Sequence, residues 1–311
     1  MTAFITQRLI AGALTLVAIA TLSFFITRLA PGSPFSGERQ LTPEAMANLN
    51  AYYGFDRPLF AQYAHTMWQY LHLDFGPSYF HRDHSVSQLI WPALKVSSGL
   101  GAIAFGLALL VGIPLSVIAA ANQNRTADHL TLSVSITGIC IPNFLLGPLL
   151  IMLFGFGLNW LPVGRWPKDV SWPELQRLIL PAITLSLVHI AYIARLGRAG
   201  MLDVLHTDYI RTARAKGLHE TRVVLKHGLK NGMTPVLSYA GPMAALIITG
   251  SVVVEKIFDI PGLGQHIVNA ALNRDHPLLM GSILIFSALM IVFNLLVDLA
   301  YSWLDPRVRV Q

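Results

Sequence analysis

Residues 96–121 read VSSGLGAIAFGLALLVGIPLSVIAAA, a run without one charged side chain. A helix of about 20 apolar residues crosses the hydrocarbon core of a bilayer, so this stretch predicts a transmembrane helix. Five more apolar spans stand around it: Leu9–Leu29, Leu130–Phe154, Leu178–Ala194, Thr234–Val254 and Gly281–Trp303. Pro181 and His189 interrupt the fourth. The expected fold class is all-α, a polytopic membrane protein of about six transmembrane helices.

Composition agrees. The 311 residues are 54% hydrophobic and 12% charged, with mean hydropathy +0.55, whereas soluble domains are about 25% charged. A β-barrel would show short alternating segments instead of long apolar runs. The net charge of +6 does not argue for a nucleic-acid partner, because excess Lys and Arg in a membrane protein mark cytoplasmic loops. The single Cys140 excludes a disulfide framework and a multi-cysteine metal site within one chain, and reads as a small buried hydrophobe. The first span is longer than the apolar region of a signal peptide and no small-x-small cleavage site follows it. It reads as an uncleaved first transmembrane helix.

The connections differ in basic density. One set carries Arg8, Arg125, Arg195, Arg198, Arg211, Arg214, Lys216, Arg222, Lys226, Lys230, Arg307 and Arg309. The other, longer set carries Arg39, Arg57, Arg82, Lys95, Arg165, Lys168, Arg177, Lys256 and Arg274. The denser set is expected on the cytoplasmic side, which places both termini and residues 195–233 inside. Residues 31–95, 155–177 and 255–280 then lie outside. The expected organisation is a first transmembrane helix over 1–30, a partly helical external segment over 31–95, a core transmembrane domain over 96–303 and a cytoplasmic tail over 304–311. The 31–95 segment is too long for a connector. Thr42-Pro43-Glu44-Ala45-Met46 reads as a helix start with Thr42 as cap and Pro43 in the first turn.

Enzyme motifs are missing. The chain has no G-x-x-x-x-G-K-[ST], no H-E-x-x-H and no G-x-S-x-G. Its eleven His are scattered, and the close pair His81 and His84 reads as solvated loop residues. Asn124-Arg-Thr126 fits a glycosylation sequon but falls on the side assigned to the cytoplasm.

Polar groups inside spans are costly. Asn294 and Asp298, four residues apart, share a helix face; they read either as a stripe facing a substrate path or as an interhelical hydrogen bond near the helix end. His189 could line a path or pair with a neighbouring helix. Arg28 and Arg195 sit at span ends, where they can snorkel. Gly112, Pro114, Gly138, Pro142, Gly147, Pro148, Pro181, Gly241 and Pro242 fall within spans, and each interior proline removes a backbone bond and bends its helix.

One segment cannot sit in lipid. Asp208-Tyr-Ile-Arg-Thr-Ala-Arg-Ala-Lys-Gly217 is a basic helix with a glycine stop. Leu202, Leu205, Tyr209 and Ala213 follow helical spacing and predict one apolar face. Arg211, Arg214 and Lys216 lie off that face. Ala213 and Ala215 are small enough for another backbone to approach. A second basic helix, about Glu220–Lys230, leads back to the membrane.

Tyr209-Ile-Arg-Thr-Ala-Arg-Ala-Lys-Gly-Leu218 resembles the coupling motif of membrane permease subunits of bacterial ABC importers, in the form used by the peptide group. The general motif is Glu-Ala-Ala, three residues, then Gly; here Arg211-Thr212-Ala213 and Gly217 stand at those positions. Further matches are Arg28-Leu-Ala-Pro-Gly-Ser-Pro34, Asp74-Phe75-Gly76, Pro142-Asn143, Ile179-Leu-Pro181, Glu255-Lys-Ile-Phe258 with Pro261-Gly262-Leu-Gly264, Asn294-Leu-Leu-Val-Asp298 and Asp305-Pro306. Pro31 to Arg39 and Ala271-Leu-Asn-Arg-Asp275 look most like the B-type subunits of oligopeptide systems.

The resemblance implies a type I ABC importer transmembrane domain in a bacterial inner membrane. It implies a second homologous permease subunit, two ATP-binding subunits and a periplasmic or lipid-anchored peptide-binding protein. This chain would then bind no cofactor; ATP and Mg would belong to the partner ATPases. The helix near 203–217 would couple to an ATPase through Tyr209, Ile210, Arg211, Thr212, Ala213, Arg214, Ala215, Lys216 and Gly217. Asn143, His189, Asn294 and Asp298 are candidate path or interhelix residues. Asp74, Phe75, Gly76, Pro261, Gly262 and Gly264 would face the binding protein. Substrates implied are oligopeptides, with dipeptides, nickel or glycan-derived peptides as alternatives. A self-sufficient secondary transporter would need its own ion site, for which Asn294, Asp298 and His189 are the candidates. An intramembrane enzyme has no recognisable nucleophile or metal arrangement behind it.

Overall fold

The computed structural model describes residues 2–29, 44, 48, 51, 54–81 and 83–304, with the side chains of those from 5 to 296. The expected helix start at Thr42 and Pro43, the stretch Pro31 to Arg39, Arg82, Asp305-Pro306 and the side chain of Asp298 lie outside what is described.

The principal helices are α1 (Thr2–Leu29), α2 (Leu59–Leu71), α3 (Val86–Ala121), α4 (Thr126–Cys140), α5 (Asn143–Leu150), α6 (Ile179–Leu205), α7 (Asp208–Ala215), α8 (Thr234–Ile248), α9 (Val252–Ile257), α10 (Leu263–Leu272) and α11 (His276–Leu304). Among the described residues four helices are long and apolar enough to cross a membrane, or five if one bent pair counts as a span. All six expected apolar segments are helical, but two differ from a single straight span.

The expected Leu130–Phe154 span is that bent pair, with an angle of 105° between Thr126–Cys140 and Asn143–Gly157. Proline disfavours a helical conformation in the residue before it and offers no N–H. Ile141, ahead of Pro142, is accordingly extended at φ −87° and ψ 114°. The expected Thr234–Val254 span stops at Ile248 and resumes at Val252. Between them Gly250 has φ +104°, and a Cβ there would lie 2.6 Å from Glu255 Oε1 and 2.9 Å from Ser97 Cβ. Only glycine fits both the conformation and the space.

The other four spans all run longer than expected, α1 starting at Thr2 and α11 at His276. α3 begins ten residues early because Ser85-Val-Ser-Gln88 forms a reciprocal cap: Gln88 N–H donates to Ser85 Oγ at 3.3 Å, and Ser85 N–H donates to Gln88 Oε1 at 3.1 Å. α6 continues to Leu205. Pro181 does not interrupt it, since it falls in the first turn, where a missing N–H leaves no bond unmade.

The chain divides into two compact units, residues 1–96 with 261–295, and residues 97–260 with 296–311. In the first, Phe75, Val86, Ile90, Leu263, Leu278 and Leu284 form a common core. α2 packs on α1 through Tyr63, whose hydroxyl lies 2.9 Å from Thr21 Oγ1 and whose ring lies 5.5 Å from that of Phe24. In the second unit α6 is central, with α4, α5, α8 and α9 packed against it. Small residues let backbones approach: a Cβ on Gly101 would fall 2.3 Å from the Ile247 carbonyl oxygen. Cys140, expected to be buried, is exposed on this chain at the end of α4.

Candidate functional site

α7 is held from three sides. Its buried residues are Ile210 and Ala213, on the side of the chain where Met201, Leu205, Val223 and Val224 are also buried. The stretch Val223–Gly228, wound as a π-helix, packs directly on α7. Burying a side chain the size of Ile210 contributes about 1.5–3 kcal/mol, one of several contacts that hold eight residues which would not form a stable helix alone.

The expected apolar face was Leu202, Leu205, Tyr209 and Ala213. The structure corrects it. The chain leaves the helical path at His206 and Thr207, where Thr207 is extended at ψ 158°. That break resets the register, so Ile210 turns inward and Tyr209 outward. The Tyr209 hydroxyl donates to the His227 carbonyl at 3.3 Å and accepts from Asn231 Nδ2 at 3.2 Å. Ala213 is small for packing within this chain, while Ala215 is exposed.

The end of α7 is built as expected, and in more detail. Leu218 N–H donates to the Ala213 carbonyl at 3.4 Å and Gly217 N–H to the Arg214 carbonyl at 2.9 Å. This crossed pair is the Schellman arrangement. It requires a left-handed residue, and Gly217 has φ +73°. Among the described residues, its chain neighbours aside, no atom lies within 4 Å of where its Cβ would be, so the requirement is conformational and not steric.

Charge is divided into two roles. Arg214 reaches back to Glu220, Nη2 to Oε1 at 2.6 Å and Nε to Oε2 at 3.1 Å, and its Nη1 donates to the Leu205 carbonyl at 3.4 Å. It ties α6, α7 and the following helix together. The pairing raises the Arg214 pKa and lowers that of Glu220 below the ordinary carboxylate range. Arg211 instead makes, among the described residues, only an exposed side-chain pair with Asp208, three residues away, at 3.2 Å. Asp208, Arg211, Thr212, Ala215, Lys216 and Gly217 are therefore the surface that α7 leaves open.

The other candidates separate. His189 Nδ1 lies 2.8 Å from the Tyr239 hydroxyl, so it pairs with a neighbouring helix. Asn143 stands at the start of α5, with its Oδ1 buried and without a hydrogen-bond partner among the described residues. Asn294 is exposed on this chain. Asp74, Phe75 and Gly76 form a turn: Asp74 Oδ1 accepts from Gly76 N–H at 2.9 Å, Gly76 has φ +74°, and Phe75 is in the core. Gly262 and Gly264 are buried. Of the six residues expected to face a binding protein, Asp74 and Pro261 are the exposed ones.

Two carboxylates went unnoticed as sites in the sequence. Asp128 is buried against Arg198, with Nη2 to Oδ2 at 2.7 Å, and also accepts from Asn124 N–H at 2.9 Å. Asp275 is fully buried and accepts from Ser78 Oγ, from Tyr79 N–H at 3.0 Å and from Leu278 N–H at 3.4 Å. The last contact makes it the cap of α11. An acidic residue directly before His276-Pro277 and a long apolar run is a legible cap signal; its contacts with Ser78 and Tyr79 are not.

A family model described as "Binding-protein-dependent transport system inner membrane component" matches residues 112–310. Its N-terminal companion, "Binding-prot-dependent transport system membrane comp, N-term", matches residues 1–93. The chain is 47% identical over 309 residues to the "Oligopeptide transport system permease protein OppB" of Escherichia coli (strain K12), covering 99% of this chain and 100% of that protein. It is 42% identical over 309 residues to the protein of the same name from Haemophilus influenzae, with the same coverage of both chains. It is 40% identical over 311 residues to the "Dipeptide transport system permease protein DppB" of Bacillus subtilis (strain 168), covering 100% and 99%. The likeness thus runs along the whole chain and does not stop at the motif around Gly217. This chain belongs to the family of binding-protein-dependent transport system inner membrane components, as a multi-pass permease of the bacterial inner membrane and not an enzyme.

Proposed function

We propose that this chain is one of two homologous membrane subunits of an ATP-driven peptide importer, and that α7 docks on a partner ATPase. The clamp on α7 carries the reading. A short helix held by Ile210 and Ala213 on its inner side and tied by the hydrogen bonds of the exposed Tyr209 and Arg214, yet presenting Arg211, Thr212, Ala215 and Lys216 outward, is rigid toward its own chain and open toward another. A rigid connection is what transmits displacement from one subunit to the next. Oligopeptide is the favoured substrate because the relatives named for it have the higher identity. The density of basic residues between α6 and α8 supports placing α7, and with it both termini, in the cytoplasm. The external binding protein would then approach the side bearing Asp74 and Pro261, and ATP and Mg would stay with the partner ATPases. The pairing of His189 with Tyr239 favours its interhelix role over an ion site and so argues against the secondary-transporter reading.

Arg211→Glu with Lys216→Glu tests the docking. Neither side chain holds the clamp, so the variant should insert at the normal level. It should lose co-purification with the ATPases, and uptake of a labelled tripeptide should fall to background. Normal uptake would sink the coupling role.

A further inference from the structure

The unit formed by residues 1–96 and 261–295 contains a polar cavity of about 400 Å³ at the C-terminal end of α1. Arg28, Arg57, His65 and His276 line it, together with Tyr70 and Gln62. None of its described lining residues is an Asp or Glu. Arg28 is half-buried, and its guanidinium lies 4.2 Å from the Phe55 ring centroid and 5.4 Å from that of Phe24. It has no carboxylate partner among the described residues. Stacking on the rings leaves the edge of the guanidinium, with its N–H donors, available for an anion.

A further observation narrows the ligand. Next to this cavity is a second space of about 500 Å³, walled by Ala13, Leu16, Val17, Leu284, Ile285 and Ala288. Tyr70 and Phe75 belong to the walls of both. A cationic space at the end of a membrane span thus adjoins an apolar one running back along the span.

We infer that the two spaces together hold one anionic glycerophospholipid, its phosphate at Arg28 and Arg57 and an acyl chain along α1 and α11. The charge argues for a net-negative head over a zwitterionic one. The apolar space argues for a lipid over a free phosphate ester.

The test uses the full chain, delipidated in detergent and titrated with phosphatidylglycerol, phosphatidylcholine or soluble glycerol 1-phosphate, with the melting temperature as readout. Phosphatidylglycerol should raise the midpoint at concentrations about tenfold below those phosphatidylcholine needs. Arg28→Gln should keep the lipid-free midpoint and lose that preference. Ala13→Phe, at an exposed position lining the apolar space, should weaken both lipids alike. Should Arg28→Gln fail to fold, the exposed Arg57→Gln supplies the same comparison with a smaller loss. Equal response to the two lipids, an unchanged preference in the arginine variants, or glycerol 1-phosphate matching the lipid at equal concentration would each overturn the inference.

Discussion

Arg214 and Glu220 are joined by two nitrogen–oxygen contacts, 2.6 and 3.1 Å, across the turn that follows α7. The pair closes the loop around Gly217, and the same guanidinium donates to the Leu205 carbonyl at the end of α6, so Arg214 holds α7 to the segments on both sides of it. Both side chains are partly exposed, so its contribution to overall stability is small; its effect is on local order. Arg214→Ala should therefore leave the melting temperature nearly unchanged while raising amide hydrogen exchange at Gly217 and Leu218. The pH dependence has a definite sign. Arg214 holds Glu220 below its ordinary pKa, so the ordering is fully present above about pH 4.3 and is lost as pH falls through the lowered value. Exchange at Leu218 measured against pH should show this in the wild type and not in Glu220→Gln.

Gly217 separates conformational need from space. Ala at this position meets nothing within 4 Å, but a left-handed L-residue costs about 1–2 kcal/mol. Gly217→Ala should support reduced uptake at normal expression. Gly217→Pro forbids the positive φ and removes the N–H that bonds Arg214, so uptake should be lost. A transport assay in whole cells, normalised to membrane content, distinguishes the two.

Asp275 gathers donors from residues about 200 positions away and from its own helix. Asp275→Ala strands the Ser78 hydroxyl and the Tyr79 and Leu278 N–H groups, and each buried unsatisfied group costs about 1–3 kcal/mol. The variant should misfold or melt well below the wild type in detergent. Asp275→Asn keeps one acceptor oxygen and should fall between. A melting temperature for Asp275→Ala equal to that of the wild type would contradict the assignment.

His266 on α10 has its pKa lowered, chiefly by burial and further by His81, against an opposing pull from Asp275. It is neutral in the folded protein where an unfolded His would already take up a proton. Stability should therefore fall as pH drops below about 6.5, and level off once the folded pKa is passed. Thermal unfolding between pH 7.5 and pH 5 should show a shallower decline for His266→Gln than for the wild type.

Much of the fold is written in local sequence. Hydropathy along residues 96–121 and the other apolar runs needs only local composition, because lipid forces the backbone of such a run to bond within itself. The break at Pro142 and the stop at Gly217 are also local, since each rests on one residue's own φ or N–H. The motif around Tyr209 to Leu218 supplied the family because its spacing is contained in ten residues. Helix ends were less legible where a cap was overlooked: Ser85 and Gln88 start α3 well before its apolar run begins.

Tertiary structure decided what depends on residues distant in sequence. Sequence spacing put Tyr209 on the buried face of α7, and the turn at His206 and Thr207 put Ile210 there instead, because packing against Val223–Gly228 sets the register. Only the fold brings His189 to Tyr239, Asp128 to Arg198 and Ser78 to Asp275. A polar group buried in an apolar surrounding must find a partner, but nothing local to it says which one. For this protein, hydropathy determined that it enters the membrane, and three-dimensional packing determined which polar side chains are used up inside and which remain for other molecules.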